Sequence, residues 1–261
     1  MTAPDPYAAP RATVADAQPA AASGDYVPEG RALPSGAGIE WLRQGWRLYL
    51  RQPGMWVGLS LLFFLVYAAA GVVPFVGGVV TMLFSPAMFA GLLIACRDLE
   101  GGREIEVAHL FAGFRERAGP LIALGALYLA AMAAVMLVAF LLVGAGAAAL
   151  FVGGGRAGAE GAGAAIVVGV LIVVGLVMPV AIAFWMATPL VLFHDARAAD
   201  ALRSSFLGCL KNWLPFLVYS LVLAALAIAA SLPLFLGWLV LMPVFYASYY
   251  ASYRDIFTRA P

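Results

Sequence analysis

Long apolar runs alternate with short polar ones through most of this chain. Residues 55–73, 79–96, 120–143, 166–193, 214–231 and 233–253 contain no Asp, Glu, Lys or Arg, and each comes close to or exceeds the ~20 residues that cross a ~30 Å hydrocarbon core. The pattern predicts six helical spans paired as three hairpins. The first pair is joined by a charge-free turn at Pro74, Gly77 and Gly78. The fourth span is longer than a bilayer requires and carries Pro179 and Pro189; tilt, kinks or extension beyond the bilayer would all absorb the excess.

The polar runs have their own periodicity. In residues 39–56, Ile39, Leu42, Trp46, Tyr49 and Leu50 share one arc of a helical wheel, and Glu40, Arg43, Gln44, Arg47 and Arg51 another, the pattern of a helix lying in a membrane interface. Residues 97–119 place Val107, Leu110, Phe111 and Phe114 at i, i+3, i+4 and i+7, and residues 194–213 repeat the theme. Each hairpin is therefore expected to follow a cytoplasmic amphipathic helix. Residues 144–165 read as a flexible loop because of their glycines. Of the fifteen Lys and Arg residues, Arg156 alone falls on the opposite side of this topology. Both termini are accordingly predicted to be cytoplasmic.

Composition agrees: 64% hydrophobic, 11% charged and a mean hydropathy of +0.96 leave too little polar surface for a soluble globule. The net charge of +1 hides charges confined to the tail and the polar runs, and no basic surface with stacking aromatics suggests nucleic acid. Residues 1–27, rich in Ala and Pro, read as a disordered tail, and residues 28–261 as a single membrane domain. Cys96 and Cys209 lie near the cytoplasmic side, so no disulfide is expected.

Sliding the chain by 160 residues superposes 41–61 on 201–221, with Arg43 on Arg203, Trp46 on Phe206, Arg51 on Lys211 and Gln52 on Asn212. An offset of 157 matches Pro86 with Pro243, Ala90 with Ala247, and Arg97-Asp98 with Arg254-Asp255. The middle unit keeps the spacing of Pro179 to Ala183, but Asp195 arrives four residues late. Three parallel repeat units, about 39–98, 104–195 and 197–255, follow, related by an axis along the membrane normal.

Three blocks, VPEGRALPSGAGIEWLRQGWRLYLRQPGMW, ACRDLEGGREIEVAHLFAGFRERAGPLIALGALYL and PLVLFHDARAADALRSSFLGCLKNWLP, resemble a family of uncharacterised proteobacterial multi-pass inner-membrane proteins. More distantly, the chain is similar to the membrane domain found beside some bacterial glycerophosphodiester phosphodiesterases, without their catalytic domain. The resemblance implies an integral, all-α membrane fold and brings no catalytic residue.

Candidate chemistry is sparse. His194 beside Asp195 could relay protons or begin a metal site, but His109 is the only other histidine, and an interfacial polar cap is the preferred account of the pair. Glu100, Glu104 and Glu106 have the composition of divalent-ion ligands without an ion-binding loop. Tyr246, Tyr249, Tyr250 and Tyr253 form a stripe that suits an interfacial aromatic belt or a groove lining. Pro86, Pro179, Pro189 and Pro243 mark kinks, and Ala87-Gly91-Ala95 and Ala126-Ala130-Ala134 read as close helix contacts. No nucleophile motif or phosphate loop occurs, so no cofactor and no enzymatic activity are expected.

Ion-coupled carriers keep an ionisable residue within their spans despite a cost of ~3 kcal/mol, and these spans hold none. The expectation is an inner-membrane protein with an assembly, interaction or envelope-maintenance role. It would contact anionic lipid through Arg43, Arg47, Arg51, Arg203, Lys211, Trp46 and Phe206, and a protein partner or a second copy of the chain. The alternative is a permease or channel for a neutral or amphipathic solute or lipid.

Overall fold

The computed structural model describes residues 25–259 apart from Phe75 and Gly154, and only the backbone at 147, 149–153, 155–160 and 162. Most of the tail expected at 1–27 lies outside the described residues. Its last part does not fit that expectation: Asp25–Tyr26 (β1) pairs antiparallel with Thr258–Arg259 (β2), joining the two ends of the chain.

Between these strands the chain is helical. A first amphipathic helix, α1 (Ala37–Tyr49), precedes the hairpin α2 (Pro53–Gly71) and α3 (Val76–Glu100). A 3-10 turn, Val107–Phe111, leads into α4 (Ala112–Gly153), which pairs with α5 (Gly155–Trp185). The short α6 (Ala187–His194) and amphipathic α7 (Ala198–Lys211) precede α8 (Trp213–Ser231) and α9 (Trp238–Phe257). Five helical stretches, Pro53–Gly71, Val76–Glu100, Val107–Gly146, Gly163–His194 and Trp213–Ser231, are long and apolar enough to cross a bilayer. The sixth expected span starts later than its apolar run, because residues 232–237 turn with Leu234 and Phe235 in the left-handed region (φ 51° and 64°).

The glycine-rich stretch at 144–165 is not a loop: the backbone is helical up to Gly153 and again from Gly155. Alanines fill most of the non-glycine positions there, and pairing of α4 with α5 offsets the ~1 kcal/mol that each helical glycine costs relative to Ala.

Packing of the amphipathic helices departs most from the wheel reading. The buried face of α1 is Gly38, Trp41, Leu42, Gly45 and Tyr49, while Ile39, Trp46 and Leu50 are exposed. The two glycines explain the rotation: Gly45 rides on the Val244 carbonyl and Ser248 amide of α9, and Gly38 on Pro215 and Tyr219 of α8. A wheel weighted by hydrophobicity ignores glycine, yet close backbone approach needs it. The second amphipathic segment packs on α3, with Gly91 under the carbonyls of His109 and Leu110, and Gly113 over that of Ala87. The third packs on α5 and α6: Ser205 Oγ donates to the Ile182 carbonyl (2.9 Å) and accepts the Met186 N–H (2.9 Å). Each amphipathic helix therefore leans on the return helix of another hairpin.

The ladder Ala87-Gly91-Ala95 is such a contact, whereas Ala126, Ala130 and Ala134 are exposed, and Gly125 packs against Leu83 in their place. The tyrosines of α9 are buried rather than belted at the interface, because α1, α2 and α3 surround that helix. The core of Trp41, Trp56, Leu92, Leu93, Leu190 and Tyr253 sits toward one end of the bundle. Beyond it, Phe140, Leu171, Ile228 and other large apolar side chains of the spans are exposed, as lipid-facing residues are.

Candidate functional site

The return helices converge on a cavity of about 450 Å³, within the ~300–1,000 Å³ typical of small-molecule sites. Phe63 and Tyr67 of α2, Ser85, Pro86 and Phe89 of α3, Leu124 and Tyr128 of α4, Ala181, Phe184 and Trp185 of α5, Thr188 of α6, and Phe245 and Tyr249 of α9 line it. Edge-on aromatic pairs set its shape: Phe89 meets Tyr249 at 4.9 Å, Trp185 meets Tyr249 at 5.7 Å, and Tyr128 meets Phe184 at 5.0 Å between ring centroids.

Two prolines organise its polar groups. A proline has no N–H to return to the carbonyl four residues earlier, so Pro189 frees the carbonyl of Trp185, which accepts the Tyr249 hydroxyl. Pro86 likewise frees the Met82 carbonyl, which accepts from Ser85 Oγ at 3.2 Å. Thr188 is only 8% exposed, and neither its hydroxyl nor that of Tyr128 has a hydrogen-bond partner among the described residues. The lining thus offers hydroxyls and aromatic edges and holds no carboxylate, imidazole, thiol or cation. Such a surface suits a neutral or amphipathic molecule with a few hydrogen-bonding atoms. A second cavity of about 380 Å³ shares Tyr67 and Ser85, and Phe193 stacks on the buried Tyr253 at 5.5 Å.

The charged end of α3 is laced by polar contacts. Arg97 binds Asp98 (3.0 Å) and Glu116 (3.0 Å), and Asp98 also pairs with Arg103 and with His109 Nε2 (3.2 Å). Arg254 pairs with Glu100, which accepts the Tyr250 hydroxyl at 3.2 Å. Glu100 is thus taken up in structure, and Glu106 caps the turn that His109 completes. Of the pair expected at the end of the fourth span, His194 Nε2 meets the Tyr253 hydroxyl at 2.6 Å and its ring stacks on Tyr26 at 4.0 Å. Asp195, in a left-handed helix cap at φ 57°, turns away to Arg117. The two do not form one site.

The residues expected at the lipid surface divide. Arg43 and Arg47 lie exposed beside Glu40 at 3.5 and 3.7 Å, Arg203 is exposed, and Trp46 is 45% exposed. Arg51 donates to the Leu99 carbonyl (2.8 Å), Lys211 to those of Glu29 and Gly30 (3.1 and 3.2 Å), and Phe206 is half-buried. Outside the spans, burial pushes the Cys209 thiol up to about 12, with the neighbouring Ser205 hydroxyl acting in the opposite direction. Burial also raises the Asp255 carboxyl, against the pull of Arg254, the Trp41 N–H and Arg31.

Sequence reasoning named Tyr249 as a groove candidate but passed over Tyr67, Ser85, Tyr128, Trp185 and Thr188. Their signal was present: hydroxyl-bearing residues recur inside charge-free spans, several turns from the polar runs.

No solved structure matches this chain. A "probable inner membrane protein" of Burkholderia thailandensis is 34% identical over 248 residues, covering 84% of this chain and 90% of the relative. The model of a family described as "Domain of unknown function (DUF7847)" matches residues 40–256. With a match across nearly all the described helices, the chain belongs to this family of bacterial inner-membrane proteins.

Proposed function

We propose that this is a six-span inner-membrane protein, with both termini cytoplasmic, that works without catalysis. It holds a neutral or amphipathic, lipid-like molecule in its central cavity as part of envelope maintenance. The observation that carries the reading is the cavity itself, walled by aromatic rings and dotted with hydroxyls but free of charge.

The six-span count rests on the repeat. Gly77 packs on Ala70 and Gly237 on Ala230, two hairpin turns related by the same offset of 160 residues seen in the sequence. At the junctions between amphipathic helix and span, Gln52, Arg117 and Asn212 share a non-helical backbone (φ −146°, −147° and −113°). Two of them reach the lead-in to another unit, Gln52 accepting the Ile105 N–H and Asn212 the Leu33 N–H, while Arg117 pairs with Asp195 at the end of its own unit. Unit one thus meets unit two through Gln52, unit two meets unit three through Ser205, and unit three meets unit one through Asn212 and the packing of α1 on α9.

Exposed Arg43, Arg47, Arg203 and Trp46 favour anionic lipid at the cytoplasmic face, each cation giving ~1 kcal/mol near the surface. A partner-docking role for the amphipathic helices is weakened, because their main apolar faces are occupied within the chain. The test is lipid identification on protein purified in mild detergent, for wild type and for Ser85→Phe, which fills the cavity from α3. The expected result is a stoichiometric lipid in wild type and about tenfold less in the variant, a loss of ~1.4 kcal/mol of binding. Equal lipid in both would sink the proposal.

A further inference from the structure

The central cavity is not the only opening at membrane depth. A groove of about 490 Å³ lies between α5, α7 and α8, and Ala181 and Trp185 line both it and the central cavity. The remaining walls include Met178, Ile182, Trp213 and Leu217. Like the cavity, the groove has no charged residue in its lining. It exists because α5 packs on α4, α6 and α7 and makes no comparable contact with α8, which leaves the second and third hairpins splayed beyond α7.

Trp185, 39% exposed, is the partition. Its ring stands edge-on to Tyr249 and Phe245 at 5.7 and 6.5 Å, and it ends α5 between two interruptions. Pro179 lies six residues before it, and the helix breaks at Met186 (φ −103°, ψ 6°) immediately after. Helix bends of this kind concentrate where the i to i−4 ladder is broken.

Resting on the cavity reading above, we infer that the groove and the cavity are two lobes of one site. Its occupant is a bilayer lipid, which enters chain first between α5 and α8 and passes Trp185, in place of a water-soluble solute. At membrane depth the medium facing the groove is hydrocarbon, and an apolar channel without charge offers an acyl or prenyl chain continuous contact from bilayer to cavity. A soluble neutral solute gains nothing from that route. The hydroxyls of Thr188 and Tyr128, which line the cavity, lie where the polar end of a neutral lipid would find hydrogen bonds.

The test uses full-length protein in vesicles containing a diacyl phospholipid with a diazirine on one acyl chain, with crosslinks mapped by peptide mass spectrometry. Wild type is expected to be labelled in both lobes, on peptides carrying Phe89 or Tyr249 and on peptides carrying Trp213. Ala181→Trp, at an exposed position shared by the lobes, is expected to cut cavity labelling about tenfold while groove labelling persists. Ser220→Trp, on the exposed groove wall of α8, should do the same without touching α5, which covers the case in which the first variant misfolds. Undiminished cavity labelling in both folded variants overturns the lateral route but leaves the cavity reading standing. Absence of cavity labelling in wild type overturns the cavity reading itself. Labelling of a second copy of the chain across the groove overturns the lateral route in favour of a dimer contact.

Discussion

Replacing Gly45 with alanine should loosen the contact between α1 and α9, and the structure sets the size of the effect. A Cβ at this position would lie 2.7 Å from both the Val244 carbonyl oxygen and the Ser248 amide nitrogen, whereas ordinary contact begins at 3.4 Å. Both neighbours are backbone, so no side chain can swing aside, and the helices must separate by about 0.7 Å, the difference between those distances. A gap of 0.5–1 Å forfeits roughly a quarter to a half of each dispersion contact it opens, and overpacking of this kind costs ~1–3 kcal/mol. Alanine returns ~1 kcal/mol through its better helix propensity. The net loss is about 1 kcal/mol at the middle of that range, or ~5-fold in the folded-to-unfolded ratio. Gly58→Ala supplies the control, since nothing lies within 4 Å of a Cβ there and the propensity gain of ~0.5–1 kcal/mol should appear alone. Reversible unfolding in mixed micelles, followed by tryptophan fluorescence as denaturing detergent is added, measures both. The two variants should move in opposite directions. A shift of the same sign in both, or a Gly45→Ala protein as stable as wild type, refutes the packing argument.

Two fully buried tryptophans should respond differently to phenylalanine. Trp41→Phe removes the Nε1–H that reaches Asp255 Oδ2 at 3.1 Å, whereas the Trp56 Nε1–H has no partner among the described residues. In the same unfolding assay the first should cost ~1–3 kcal/mol more than the second. Burial raises the Asp255 carboxyl above its ordinary value in the folded protein. The native state then holds a proton that the unfolded chain has released, and stability falls as pH rises from ~4 through the folded value. Asp255→Asn should remove that slope from unfolding midpoints measured across the acidic range, and an unchanged slope would assign it elsewhere. Because burial pushes the Cys209 thiol up to about 12 and the thiolate is the reactive form, a water-soluble maleimide at pH 8 should label it about three orders of magnitude more slowly in folded than in unfolded protein. Comparable rates would mean that α7 opens readily.

The spans were legible because a charge-free run of membrane length is a strong signal, and α2, α3 and α8 lie close to the runs that announce them. Facing was harder to read. Leu42 and Tyr49 obey the hydrophobic wheel and are buried, but Ile39, Trp46 and Leu50 do not, because Gly38 and Gly45 decide which side of α1 can approach another backbone. Ala126, Ala130 and Ala134 show the converse: small-residue spacing permits a contact without requiring one, and Gly125 makes it in their place. His194 and Asp195 stand side by side in sequence, yet the left-handed cap at Asp195 sends their side chains to different partners. The cavity was nearly readable, since Tyr67, Ser85, Tyr128 and Thr188 are polar positions in spans that otherwise avoid polarity. What the sequence lacks is the packing that brings those positions to one cavity.

The stretch from Pro179 to Asp195 is where the helical wall of the cavity is interrupted. Asp195 arrives four residues later than Asp98 and Asp255 do in their units, and one extra helical turn must be accommodated between Pro179 and the cap. The chain does so by breaking at Met186 and restarting as α6. Pro189 falls four residues after Trp185, so the last carbonyl of α5 has no helical donor and takes the Tyr249 hydroxyl. Ser205 then secures the far side of the break through Ile182 and Met186. The helices α3 and α9 are continuous and have no such break. The extra turn is therefore what distinguishes one wall from the rest and places Trp185 between groove and cavity. Deleting four residues between Pro179 and Asp195 to restore the register should join α5 to α6, displace Trp185 and abolish cavity labelling by membrane lipid while the other two hairpins still assemble. A variant so shortened that keeps full labelling would mean that the break is incidental to the site.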